Sequence, residues 1–406
     1  MAVKGVLFDV DGPLLVKGQS KPSPGIPEVL KALRERSISI GAMSSVKGAE
    51  TRLTASGLNV DWFGTAVKGS GKLFHEFCSK AGIERWECIA VIDDEYGFRE
   101  AINACTIAFH AEWGRGSSKY GIRLEQPEEL VEYLDVFFLK KHLWFGRLDA
   151  NDGNGRDVVL RALIDGKGAG DHRMKSMLYK TLKERQEVNI ADGASLSSFL
   201  MTHLFASAYL EGLFSNSRDR LFFQIYSASS PQTNPPQIIQ ATVERFKLFR
   251  SANLDAAGLR RHTPATQSYR ARMERARENV KFTNQMNSIV LPSTFMRNVK
   301  DRRVYVIDDF TTKGYSLEAA RNMFYAAGAR SVFLLAFGKY SSEHGIQTPQ
   351  PGVKITPTRP SQYAETDFFQ ETHTLTVDQE ALTEFKESVN RLKECSIRTK
   401  LLESSP

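Results

Sequence analysis

The sequence predicts an α/β protein: two doubly wound α/β domains with mostly parallel sheets, followed by a C-terminal tail with a helix. Three observations predict it. Short apolar runs rich in Val and Ile recur at residues 3–10, 38–43, 88–92, 221–226, 304–307 and 331–337, and several of them end in carboxylates or hydroxyls. Stretches of helical period lie between many of these runs, the alternation that builds a parallel sheet with crossover helices. The chain has 406 residues, more than one ordinary core organises. The expected division is 1–135, 136–345 and 346–406.

Bulk composition narrows the functional classes. No apolar run reaches the length of a membrane span, and the first residues run straight into a strand with no signal-peptide layout, so a cytoplasmic protein is expected. Cys78, Cys88, Cys105 and Cys395 form no CxxC pair and no Cys/His metal spacing, and read as thiols of a reducing compartment. Residues 1–135 carry 16 Lys and Arg against 19 Asp and Glu, whereas the rest carries 38 against 28. The acidic end suits a magnesium site. The basic end suits a polyanion such as a diphosphate, with nucleic acid the less favoured partner.

Taken in order, residues 3–10 read as a buried strand ending in Asp9-Val10-Asp11-Gly12. Carboxylates two residues apart on a strand share a face, and Gly12 turns the chain away. Such a pair can hold one magnesium ion while one carboxylate attacks phosphorus and the other moves the proton. A helix is expected at 25–36, with Pro27 tolerated in its first turn. A strand at 38–43 ends in Ser44-Ser45, a helix covers 48–56, and Lys68 and Lys72 sit in a Gly/Ser-rich loop before a helix at 73–81. The run at 88–92 is a third strand, ending in Asp93-Asp94.

Acidic pair, Ser, Lys, acidic pair, in that order and mostly at strand ends, resembles the haloacid dehalogenase (HAD) superfamily of phosphohydrolases. The resemblance covers roughly residues 1–115. It implies Asp9 as nucleophile, Asp11 as general acid/base, Ser44 as the hydroxyl on a phosphoryl oxygen, and Lys68 (Lys72 the alternative) as the charge-offsetting cation. It implies Mg²⁺ held by Asp9, Asp11, Asp93 and Asp94, with a phosphate monoester as substrate. Pro13 departs from the pattern, standing where the family usually has Thr or Val. The gaps between the motifs hold no inserted cap. The expectation is that the second half of the chain, or a second copy in a homodimer, covers the site.

The second half opens at a boundary near Asp135. Residues 136–146 read as a strand or linker, 149–157 as a loop, 158–164 as a helix, 174–185 and 196–213 as helices. A strong strand at 221–226 ends in Ser227-Ala228-Ser229-Ser230-Pro231. Residues 245–281 are dense in Arg. Then comes Val304-Tyr305-Val306-Ile307-Asp308-Asp309-Phe310-Thr311-Thr312-Lys313-Gly314-Tyr315-Ser316: a β-branched run, two carboxylates, a hydroxyl loop with one glycine, and a helix start. A helix at 317–327 and a strand at 331–337 complete a βαβ unit. Beyond Lys339 the prolines mark an irregular connector, and 378–394 is an amphipathic helix suited to docking or oligomer contact.

The stretch from Val304 to Ser316 resembles the PRPP-binding signature of type I phosphoribosyltransferases, and the Arg-rich segment before it resembles competence-type members, whose zinc-binding cysteines are absent. The resemblance implies Asp308 and Asp309 on the ribose hydroxyls, and Thr311, Thr312, Lys313, Gly314, Tyr315 and Ser316 around the 5′-phosphate. Ser227 and Ser229 would face pyrophosphate. Lys313 stands where the family usually has Thr. A bifunctional enzyme is then expected, transferring or removing a phosphoribosyl group on an acceptor the sequence does not name. Phosphate-monoester hydrolysis, of the ribosyl 5′-phosphate for instance, would be coupled to it. A sensor of PRPP or nucleotide that also binds RNA, and a phosphatase with a structural second domain, are the alternatives.

Overall fold

Strand β1 (Gly5–Asp9) runs through the middle of a six-stranded sheet with β2 (Ser39–Ser44), β3 (Trp62–Thr65), β4 (Cys88–Ile92), β5 (Ile107–Ala111) and β6 (Ile122–Leu124). The order is β3-β2-β1-β4-β5-β6, and every pairing is parallel. The computed structural model describes residues 2–66, 69–114, 116, 121–167, 171–184, 186–191, 194–214, 220–224, 253–254, 259–265 and 281–398.

Alternation along the strands sets the two layers of helix around this sheet. Val6 and Phe8 of β1 join one core with Ile26, Val29, Leu30 and Leu33 of helix α1 (Ile26–Glu35), which recur at helical spacing. Leu7, between them, joins the opposite core with Leu73, Phe74 and Phe77 of α3 (Lys72–Ala81) and Phe98 of α4 (Glu95–Asn103). Helix α2 (Ala49–Ala55) follows β2. This is the doubly wound α/β arrangement expected, and its strand order reverses between β1 and β4. Such switch points hold ligands at the carboxyl ends of the strands.

A second sheet contains β7 (Gly146–Asn151), β8 (Asp157–Asp165), β9 (Arg220–Gln224), β10 (Asn253–Leu254), β11 (Arg303–Thr311), β12 (Ser331–Lys339) and β13 (Thr376–Val377), in the order β10-β9-β11-β12-β8-β7-β13. The pairings from β10 through β8 are parallel and those of β7 are antiparallel. Helix α5 (Glu128–Tyr133) leads out of the first sheet. Helices α6 (His172–Tyr179), α7 (Leu196–Leu210), α8 (Tyr315–Ala326) and α9 (Gln379–Glu394) accompany the second.

Four local expectations change. Residues 149–151, read as part of a loop, are the end of strand β7 and pair with β8. Residues 158–164 form strand β8, not a helix: a short buried apolar run carries no period of its own, and pairing with β12 decides it. Residues 134–138 form a π-helical turn continuing α5. Beyond Lys339 the connector contains a regular hairpin, Glu343–Pro349 against Phe368–Thr374. The C-terminal helix matches expectation, with Asp378 as its N-cap accepting from the Glu380 N–H.

The junction between the two halves lies at the amino-terminal ends of the first sheet's strands. Val3 donates to the Phe138 carbonyl at 3.0 Å, and the Tyr209 hydroxyl of α7 donates to the carbonyls of Arg85 and Cys88, just before and at the start of β4. Gly212 lies against Trp86. All fifteen residues of α7 are buried. Helix α9 closes the junction from outside. Glu384 accepts from the backbone N–H of Lys141 and His142 at 3.1 Å, Asp378 pairs with His142 at 2.9 Å, and Arg391 donates to the Asp135 carbonyl. Five residues of extended strand separate Cys88 from Asp93, so these contacts sit about 16 Å from the carboxyl end of the sheet. The expected cover over that end is therefore not supplied by these junction contacts. No described helix is long and apolar enough to cross a membrane.

Candidate active site

The carboxyl ends of β1 and β4 bring three carboxylates together. One oxygen each of Asp9, Asp93 and Asp94 lies within 4.8 Å of the others, and Asp9 and Asp93 are almost fully buried. Asp94 also caps α4, accepting from the Gly97 N–H at 2.7 Å. Backbone without side chains encloses Asp93. A Cβ on Gly12, whose φ is +96°, would sit 2.4 Å from Asp93 Oδ2, and one on Gly114 would sit 2.6 Å from Asp93 Cβ. Gly12 thus does more than turn the chain: it leaves the volume that Asp93 occupies. His110 of β5 lies with Nε2 3.2 Å from the Asp93 carbonyl. Burial holds its proton affinity down, so a neutral ring donates there.

Asp11 is placed differently. Arg52 of α2 grips it with both Nη atoms, at 2.6 and 2.7 Å, and the Gly18 N–H adds a third donor at 3.0 Å. The planar fork fits a carboxylate, and it fixes Asp11 beside the three-carboxylate group rather than within it. Ser44 ends β2, next to β1. It is buried, and its hydroxyl oxygen accepts from the Val46 N–H at 3.0 Å. Lys68 lies outside the described residues. The loop that follows it is fastened by Glu100 of α4, whose buried carboxylate accepts from the N–H groups of Gly69, Gly71 and Leu73 at 2.6 to 2.9 Å. Lys72, the alternative cation, faces solvent and pairs with Glu76 at 3.5 Å.

Glu100 and Arg52 carry no motif. Each is recognised only through a partner 27 to 41 residues away.

The second acidic pair is expected at a strand end, but β11 continues through Asp308 and Asp309 to Thr311, because Phe310 and Thr311 still pair with Gly338 and Lys339 of β12. Lys183, in a π-helical turn spanning Lys180–Glu184, places Nζ 2.6 Å from both carboxylate oxygens of Asp309. Burial pushes the Asp308 carboxyl up to about 8, and the charge of Asp309 adds to the shift. Burial alone would lower the Lys183 ammonium. The attraction of Asp309 and Asp308 outweighs it and holds the proton on Lys183 more tightly than usual.

Thr311 is the buried last residue of β11. Lys339 donates to the carbonyls of Thr312 and Glu343, and the Gly345 N–H donates to the Lys313 carbonyl at 3.0 Å. These contacts turn the loop's carbonyls toward the protein. Gly314 caps α8 at φ +87°, and a Cβ there would strike the His344 ring. Tyr315 and Ser316 open α8, and the Ser316 hydroxyl donates to Gln285 Oε1 at 3.3 Å. Beneath them Glu318, Arg321, Asp152 and His344 form a buried network. Arg321 contacts Glu318 at 2.8 Å and Asp152 at 2.9 Å, and His344 contacts Glu318 at 3.0 Å. Ser227, Ser229 and most of the Arg-rich segment lie outside the described residues.

No protein-family model matches the chain, and no curated protein matches it. Among solved structures, one similar chain, from Lactobacillus delbrueckii subsp. bulgaricus, is described as a phosphoglycolate phosphatase. It is 20% identical over 30% of this chain and 55% of its own, with a TM-score of 0.27. The cobalt-bound deoxy-D-mannose-octulosonate 8-phosphate phosphatase from Haemophilus influenzae is 18% identical over 27% of this chain and 69% of its own, with a TM-score of 0.24. A protein from Streptomyces avermitilis described as a HAD family hydrolase is 13% identical over 29% of this chain and 75% of its own, with a TM-score of 0.25. This chain thus spans about half the length of the first. At these identities and scores the functional reading rests on the site's own geometry.

Proposed function

We propose that the first third of the chain, residues 1–135, is a metal-dependent phosphate-monoester hydrolase of HAD type. The observation that carries this reading is the convergence of Asp9, Asp93 and Asp94 at the switch point between β1 and β4. Three hard carboxylate oxygens suit Mg²⁺ rather than a soft metal. When bound, the ion offsets the repulsion between an anionic nucleophile and an anionic phosphate. Asp9 attacks phosphorus, and the bond to the leaving oxygen breaks as Asp11 gives that oxygen a proton. Water then attacks the aspartyl phosphate, Asp11 takes its proton, and the bond to Asp9 breaks to free phosphate. Asp11 must leave one arm of the Arg52 fork to carry its proton in the first step, and the full fork favours the ionised form it holds as base in the second. Ser44 binds a phosphoryl oxygen, and Lys68 completes the charge balance on a loop anchored by Glu100. The test is release of phosphate from phenyl phosphate with Mg²⁺. Asp9→Asn is expected to lower the rate at least about 1,000-fold. Hydrolysis by Asp9→Asn at the wild-type rate refutes the assignment.

A second reading concerns residues 136–345. We infer that β11, its acidic pair and the loop to α8 bind a phosphorylated ribose such as PRPP, with residues 346–406 as an extension. The supporting observation is the strand, Asp308-Asp309, Gly314 in the left-handed region, and a helix start in the order the signature requires. Lys183 across Asp309 favours a ligand-sensing role over transfer, because the ribose hydroxyls must displace it. Titration calorimetry with PRPP tests this reading. Heat lost in Asp309→Asn supports it, and no heat with the wild type refutes it.

A further inference from the structure

His344 is fully buried, yet one of its ring nitrogens has nothing to bond to. Nε2 lies 3.0 Å from Glu318 Oε1, and Nδ1 has no hydrogen-bond partner among the described residues. The neighbouring backbone shows where that bare edge points. A Cβ on Gly314 would sit 2.1 Å from His344 Cε1 and 2.3 Å from Nδ1, against 3.0 Å from Nε2. The Cε1–Nδ1 edge therefore lies directly against Gly314, the N-cap of α8, while Nε2 turns to Glu318. The Gly345 N–H donates to the Lys313 carbonyl at 3.0 Å, so the strand that carries His344 is stitched to the loop that carries Gly314. Gly314 has no side chain to cap α8, and this helix of 12 residues leaves its first N–H groups to an anion.

Burial works against the Glu318 charge, but Arg321 and the His344 contact outweigh it, so Glu318 is the acceptor and Nε2 the donor. In a neutral ring Nδ1 is then a bare lone pair, and in a charged ring it is an N–H without an acceptor. The surrounding charge decides between the two. Two carboxylates, Glu318 and Asp152, share one guanidinium, Arg321, so with a neutral imidazole the network carries one negative charge in excess. The other charged groups on these elements are engaged or at the surface. Lys339 donates to two carbonyls, and His373, opposite His344 in the hairpin, lies 3.3 Å from Glu371. Lys313 and Glu343 are exposed, and burial keeps the Tyr315 hydroxyl neutral. A phosphate dianion on the N–H groups of α8 adds negative charge across Gly314 from the ring. Buried charges are weakly screened, so a proton on His344 is held by Glu318 from one side and by the phosphate from the other.

We propose that His344 is the proton-binding member of the phosphate site at the start of α8. The ring is neutral in the free protein and becomes an imidazolium when a phosphate dianion occupies the loop, so ligand and proton bind together. This rests on the reading of β11 and its loop as a site for a phosphorylated ribose.

Long-range proton–nitrogen spectra of protein labelled with nitrogen-15 histidine, recorded with and without ribose 5-phosphate, report the charge and tautomer of each ring. His344→Gln, which keeps a donor for Glu318, identifies the signal, and His344→Asn does so where that variant does not fold. A neutral ring protonated at Nε2 is expected in the free protein and an imidazolium in the complex. Titration calorimetry above pH 7, where the ligand phosphate is already dianionic, gives the second readout. Coupling to one proton weakens wild-type binding by up to about tenfold more per pH unit than it weakens binding to His344→Gln. Asp308 titrates alike in both proteins and cancels. A ring that stays neutral in the complex, or is already charged without ligand, overturns the role of His344 and leaves the ribose-phosphate site standing. Binding of neither ribose 5-phosphate nor PRPP overturns that site and the role of His344 with it.

Discussion

Replacing Glu318 by Gln probes the buried base of α8 most directly. Glu318 and Arg321 are fully buried, and the charge of Arg321 together with the hydrogen bond from His344 outweighs burial and holds the Glu318 carboxyl at about 2. A carboxylate with a depressed native value stabilises the fold fully above its unfolded value and loses that contribution as pH falls toward the native one. From an ordinary value of 4.5 down to about 2, the linkage is about 3 kcal/mol. Glu318→Gln is thus expected to cost about 3 kcal/mol at pH 7, and about 1 kcal/mol at pH 3, where the unfolded chain already binds the proton. Urea unfolding by circular dichroism measures it. With a slope of about 2 kcal/mol/M, the midpoint at pH 7 falls by about 1.5 M. Hydrogen exchange in residues 315–326 assigns the loss to α8. A cost that is the same at pH 7 and pH 3 refutes the ionic account of this network.

Two further outcomes follow from the sites. Lys183→Met leaves Asp308 and Asp309 without their cation. Because Lys183 is 34% exposed, the expected cost is about 2 kcal/mol rather than that of a sealed pair, shrinking as pH falls through about 8 and Asp308 takes up its proton; thermal melts between pH 5 and 9 measure it. Gly12→Ala drives a methyl into Asp93 and strains a backbone at φ +96°, so Mg²⁺ affinity read by calorimetry is expected to fall at least about tenfold, and unchanged affinity would separate Asp93 from metal binding.

Much of both sites was legible because strand ends are local features. Asp9, Ser44 and Asp93 each close or directly follow a strand of five or six mostly buried residues, whereas Asp308 closes an apolar run in sequence but not its strand, which pairing with β12 carries on to Thr311. Residues 158–164 show where that stops: the run fits helix or strand equally, and only the register with β12 chooses. The partners of the site residues were equally hidden. Arg52 on Asp11, Glu100 under the loop after Lys68, and Lys183 on Asp309 are pairings across 27 to 126 residues, set by the packing of whole elements. That the junction contacts do not supply the expected cover was hidden for a related reason. Nothing in a motif tells which end of a sheet its neighbour will meet, and the junction was decided by α7 and the aromatic residues at 137 and 138.

The seat of α9 has a consequence for the chain as it is made. Glu384 meets Lys141 and His142 across more than 240 positions, and Phe385 packs edge-on against Phe199 at 5.4 Å. At ribosomal speed the junction waits about 10 to 50 seconds for its last wall. Until then Phe199 lacks the ring that Phe385 sets against it.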